Sequence, residues 1–180
     1  MSSSSAPRIA PGRLADVGPI NWLTCKLISR AAGVPDAHLF STLAKQRGLF
    51  RAWLMFAARL MPLGTLSRYE TELAILRVAH LRRCEYELEH HVRLGRRAGI
   101  DDAALARLGV GPSADGWNPR DRALLAGVDA LVTTKTLDDA TWTALQVHYG
   151  EPQLIELCML VGHYEMLATT VAALRIAPDR

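Results

Sequence analysis

Several absences narrow this 180-residue chain before any motif is read. Cysteine is scarce. The three present, Cys25, Cys84 and Cys158, are far apart and odd in number, with neither zinc-finger nor disulfide-framework spacing, so a reducing cytoplasm is expected. Net charge is small, +3, and basic and acidic residues are interleaved, which argues against a nucleic-acid or membrane partner. The start, Met1 to Arg8, has no continuous apolar segment of the secretory type. The longest apolar region, Leu154 to Leu174, is interrupted by Glu156, His163 and Glu165. Each ionised group costs roughly 2.5 kcal/mol or more at mid-bilayer, so a buried helix is expected there rather than a membrane span. Solenoid repeats are absent, as is low complexity apart from the serine run.

Strand-like alternation is absent too, and what is there is helical: Ala, Leu and Arg dominate, punctuated by Gly, Pro and Asp at helix-length intervals. The fold class expected is all-α, with about eight to nine helices. A tail, disordered or extended, is expected over residues 1–18 and one helical domain over 19–180. The first helix spans about Ile20 to Ala32 and ends at Gly33; the next runs from Val34-Pro35-Asp36 to about Lys45. Gly48 separates off Phe50 to Met61. After the Pro62/Gly64 turn, Ser67 and Glu70 have capping-box spacing for a helix carrying Glu72. A motif helix follows to about Ala98. Asp101 caps a short helix to Leu108, Asn118-Pro119 opens one to about Val132, and Asp138 or Asp139 caps another through about Val147. The last helix follows Pro152 and is apolar on nearly all sides, so it needs cover from its own domain or from another subunit.

Chemistry concentrates between Glu72 and His91. In a helix read from Cys84, the steps of three and four residues place Cys84, Glu87 and His91 on one face. Glu72 lies twelve residues before Cys84, on the order of 18 Å along a straight helix. It joins the others only if the chain bends, and Leu81-Arg82-Arg83 holds no Pro or Gly to force that bend. From spacing alone, Cys84 as core filler stands level with the functional reading, and spacing favours Glu87/His91 as a surface pair worth about 0.3–0.5 kcal/mol.

The spacing Glu72, Cys84, Glu87, His91 resembles the carboxymuconolactone decarboxylase family, which shares its fold with alkylhydroperoxidase D. The peroxidase branch carries Glu followed by Cys-x-x-Cys-x-x-x-His, and Glu87 replaces its second cysteine. Cys84-Glu85-Tyr86-Glu87 is similar to the Tyr-Glu-Trp form of the non-peroxidase branch, with Leu88 departing from the tryptophan. Leu49 to Leu54, Asp115-Gly116-Trp117, Gln153 to Leu157 and Val161 to Tyr164 extend the similarity over roughly residues 38–177. The resemblance implies an alkylhydroperoxidase D-like domain, a homo-oligomer (trimer or hexamer), and convergence of Glu72, Cys84, Glu87 and His91 as catalytic groups.

Two chemistries follow. A buried carboxylate and an imidazole one turn apart can hold a proton between them, with Glu72 as a third station, which suits decarboxylation or isomerisation of a small organic acid or lactone. Alternatively, Cys84 near a helix N-terminus and beside Arg82 and Arg83 could carry a lowered pKa and attack a peroxide, but with Glu87 in place of a resolving cysteine it needs an external reductant. A third reading is a non-catalytic oligomeric ligand-binding module. Substrate contacts expected are Tyr86, Arg77, His163 and Tyr164. Their plain alternatives are a surface salt bridge for Arg77 and a satisfied core network for His163 and Tyr164. Phe50, Trp53 and Phe56 read as core. Glu87-Leu88-Glu89-His90 has the Glu-x-x-His spacing of di-iron bundles, but the required second motif is absent, so no metal and no cofactor are expected.

Overall fold

The computed structural model describes residues 6–179, and among these it has ten helices and no strand. They are α1 (Leu14–Val17), α2 (Pro19–Ala32), α3 (His38–Leu43), α4 (Arg47–Leu60), α5 (Arg68–Arg82), α6 (Glu85–Arg97), α7 (Asp102–Val110), α8 (Pro119–Thr133), α9 (Asp139–Gln146) and α10 (Glu151–Leu174). The all-α class is as expected. The chain divides into two compact units, one built from the stretch up to Ala57 together with Thr169 onward, the other from Ala58–Ala168.

In the first unit, α1 packs on α2 and α2 on α3. The leading serines assigned to a tail lie outside the described residues. The rest of that stretch is not featureless: α1 is a short helix, and Arg8 donates from its backbone N–H to Leu174 O. Cys25, Ala44 and Phe50 form a core cluster with Val17, and Trp53 packs against it. Gly48 does not separate helices but sits in the first turn of α4, where backbone N–H groups lack intrahelical partners in any case and a glycine costs little.

In the second unit α5 is the centre, packed by α6, α7 and α8, and every residue from Glu70 to Ala79 is buried. Its start is fixed by the expected capping box: Ser67 accepts from the Glu70 backbone N–H, and the Glu70 carboxylate accepts from the Ser67 N–H, an arrangement worth about 1 kcal/mol. The preceding turn is tied down by the buried Glu156 of α10, whose carboxylate accepts from the Thr65 and Leu66 N–H groups. The fully enclosed helical stretch is therefore Glu70–Ala79 of α5 rather than α10. The latter buries Leu154, Leu157, Leu160, Val161, Tyr164 and Leu167 along one stripe but leaves Ile155 66% exposed, with Met159 and Met166 also open. By length and composition α10 could cross a membrane, yet the stripe it buries is the pattern of a core-facing helix.

Candidate functional site

The bend needed to bring Glu72 to the motif helix is made by Arg83. It adopts a left-handed conformation (φ 51°, ψ 40°) after α5, and the N–H groups of Arg83 and Cys84 turn back to the carbonyls of His80 and Ala79. This is the closure that glycine usually makes at a helix end. A non-glycine residue pays a steric penalty there, so residue type does not announce the turn. Cys84 is extended and serves as the N-cap of α6, so Glu87 lies in the first turn of that helix and His91 one turn later.

Because the two helices fold back on each other, the imidazole of His91 lies between two carboxylates. Its Nδ1 is 2.7 Å from Glu72 Oε2, and its Nε2 is 3.3 Å from Glu87 Oε2. Glu72 Oε1 lies 2.6 Å from an Nη of Arg68, a close charge contact without the alignment of a directed hydrogen bond. The chain thus runs Arg68, Glu72, His91, Glu87. The side chains of Glu72, His91 and Glu87 are 0%, 6% and 5% exposed, whereas Arg68 is 39% exposed. Glu87 Oε1 is buried and accepts no hydrogen bond among the described residues.

Burial alone would lower the pKa of His91. Hydrogen bonds and charge from Glu72 and Glu87 overcome it and raise the value to about 9, so at neutral pH both ring nitrogens carry protons. Imidazolium and guanidinium then balance the two carboxylates. The neighbouring His163 shows the opposite outcome: burial dominates, the pull of Glu87 is weaker, and its pKa falls to about 4. Tyr164 packs edge-on against both imidazoles, with ring centroids 5.1 Å from His91 and 5.2 Å from His163. Burial and the nearby carboxylates hold its phenol neutral, well above the usual tyrosine range.

Cys84 is buried, and burial raises its thiol pKa; the N–H groups of Glu87 and Tyr86 pull it down, the Glu87 carboxylate pushes it up, and the balance is upward. This corrects the expectation of a lowered value from Arg82 and Arg83, neither of which is among the groups that move it. Cys25 and Cys158 are also free thiols. Tyr86 is buried next to Glu87, its ring 4.9 Å from that of His90.

Arg77 requires a correction as a substrate contact. Its guanidinium is buried and committed, with Nε and an Nη on Asp129 at 2.6 and 2.7 Å and the other Nη on Leu108 O at 2.6 Å. Nor is it the surface salt bridge of the plain alternative; it is an internal junction of α5, α7 and α8. Gly111 belongs to the same junction: its φ is 99°, and a Cβ there would strike the Arg77 guanidinium. The arginine that does reach the cluster, Arg68, was missed, although its four-residue spacing from Glu72 was a readable signal.

Among the described residues, no group of three or more His, Cys, Asp or Glu side chains is gathered so as to hold a metal ion. In the cluster itself the two carboxylates face an imidazole rather than a common point.

Residues 47–130 match the model of the carboxymuconolactone decarboxylase family. No curated protein matches the sequence. Among solved structures, an uncharacterized peroxidase-related protein from Silicibacter sp. TM1040 superposes with a TM-score of 0.83 at 17% identity, over 99% of this chain and 95% of that one. A second, described as an alkylhydroperoxidase AhpD core from Ralstonia eutropha JMP134, has a TM-score of 0.80 at 20% identity, covering 97% and 94%. The debrominase Bmp8 has a TM-score of 0.77 at 19% identity, covering 95% and 91%. At these identities the likeness establishes the fold.

Proposed function

We propose, for a chain that belongs to the carboxymuconolactone decarboxylase and alkylhydroperoxidase D-like family, that it is an acid–base enzyme acting on a small organic acid or lactone. The observation that carries this reading is the buried imidazole held between Glu72 and Glu87. Glu87 offers an unoccupied carboxylate oxygen as general base toward an acidic C–H. His91, held as imidazolium, supplies the proton in the return direction, and Glu72 keeps it charged and oriented. In a decarboxylation the C–C bond breaks, CO2 leaves and the electron pair stays behind as an enolate; a proton from His91, passed by way of Glu87, quenches the carbon, and solvent restores the proton to the relay. In an isomerisation the same groups remove a proton at one carbon and return it at another. Tyr86, His163 and Tyr164 shape the space beside the relay. The reading places the enzyme in the cytoplasm as a homo-oligomer, and the open face of α10 supports subunit contact.

The test is solvent deuterium incorporation into a panel of lactones and enolisable acids. Glu87→Gln and His91→Ala are expected to lower incorporation by about a hundredfold or more. Unchanged incorporation in both variants rejects the roles assigned.

A thiol route through Cys84 stands second. The peroxidase-related structural neighbours and the debrominase, also solved as a variant with 2,3,4-tribromopyrrole, support it, while the raised thiol pKa weighs against it. Attack on a peroxide would leave a sulfenic acid at Cys84 and release an alcohol or water, and an external thiol would have to reduce it. Intact mass after a stoichiometric peroxide pulse decides: absence of an adduct at Cys84 removes this route.

A further inference from the structure

We propose that Arg68 is the receptor for an anionic group on the substrate, a carboxylate held at the mouth of the Glu72–His91–Glu87 relay; this rests on the acid–base reading of that cluster. Three observations converge on it. Of the four charged side chains in the chain of contacts, Arg68 alone is substantially exposed, so a molecule approaching from solvent meets it first. Its guanidinium is only partly used: one Nη lies against Glu72 Oε1, while Nη1 is buried and has no acceptor among the described residues. A covered donor without an acceptor is unfavourable, and a ligand oxygen would relieve it. The guanidinium fork is the side-chain geometry best matched to a carboxylate.

The surrounding field permits an anion. With His91 protonated, the positive charges of Arg68 and His91 offset those of Glu72 and Glu87, so an incoming carboxylate meets no net negative cluster. Arg68 is also the first residue of the 15-residue helix α5, where the helix dipole favours negative charge. Arg77, whose donors are consumed by Asp129 and Leu108, has nothing comparable to offer.

Levulinate and methyl levulinate make a suitable probe pair, because both are enolisable ketones and only one carries a carboxylate. Their affinities for the full chain are measured by NMR titration at neutral pH, with thermal unfolding followed to confirm that each variant is folded. Wild type is expected to prefer levulinate by about tenfold or more. Arg68→Gln is expected to bring the ratio close to one, and Arg68→Lys to keep part of it. The ratio is the deciding quantity, because a residue that merely holds Glu72 in place would lower both affinities together. No preference in wild type, or a preference that survives in Arg68→Gln, overturns the proposal. If levulinate binds through Arg68 yet neither probe exchanges deuterium, the anion site stands and the acid–base reading falls.

Discussion

Two arginine–carboxylate pairs on the same helix have opposite characters. At the C-terminal half of α5, Arg77 meets Asp129 with two nitrogens, and its third finds a carbonyl; the site is closed and fully bonded. At the N-terminal end, Arg68 touches Glu72 through one nitrogen, stays partly exposed, and leaves polar atoms unfilled in a cluster that also contains a buried imidazolium. A junction that serves only packing satisfies all its donors, because an unpaired buried charge is costly. A cluster that leaves atoms unfilled gives up stability that a bound molecule can restore. On that contrast Arg77 is a packing junction, whereas Arg68 keeps donor capacity to spare.

Substitution at either arginine's partner separates the two roles. The largest effect is expected for Glu72→Gln, which removes the charge that keeps His91 protonated: deuterium incorporation should fall by about a hundredfold or more, as measured by mass spectrometry or NMR. Next comes Asp129→Ala, which strands the Arg77 charge and should lower stability by about 2–4 kcal/mol in urea unfolding. If Asp129→Ala proves harmless while Glu72→Gln unfolds the protein, the assignment of scaffold and site is reversed.

A smaller effect separates the two buried histidines. His91 is raised from 6.5 to about 9 in the folded protein, so its contribution is complete below pH 6.5 and is lost as pH rises through about 9. His163 is depressed from 6.5 to about 4, so its contribution is complete above pH 6.5 and is lost as pH falls toward about 4. Together they should give a stability maximum near pH 6.5, with slopes of up to roughly 1.4 kcal/mol per pH unit on either side. Denaturant midpoints from pH 4 to 9 measure this, and removing His91 should abolish the alkaline slope alone. The smallest effect is expected for Cys84→Ser, about 1 kcal/mol of stability or less with deuterium incorporation retained. A large loss of incorporation there would shift the chemistry to the thiol.

The helices were legible because their signals are local. Ser67 with Glu70, Asn118 before Pro119, and Asp101 and Asp138 as caps all act within one turn, and each stands at the start of its helix. Gly48 misled because a glycine in a first turn and one between helices look alike in sequence. The site was legible only in part. The spacing from Glu87 to His91 follows from helix geometry, but the approach of Glu72 depends on Arg83 entering a conformation that residue type does not announce. Whether an arginine on α5 faces the cluster or the scaffold depends on Asp129, some fifty positions away, and no pattern near Arg77 carries that information.

The most direct test is an NMR titration of the His91 ring nitrogens in the folded protein. An imidazolium persisting through neutrality and losing its proton near pH 9, and at lower pH in Glu72→Gln and Glu87→Gln, is the expected result. A ring that is neutral at pH 7 and titrates at or below the ordinary histidine value, with no response to either substitution, would contradict the account.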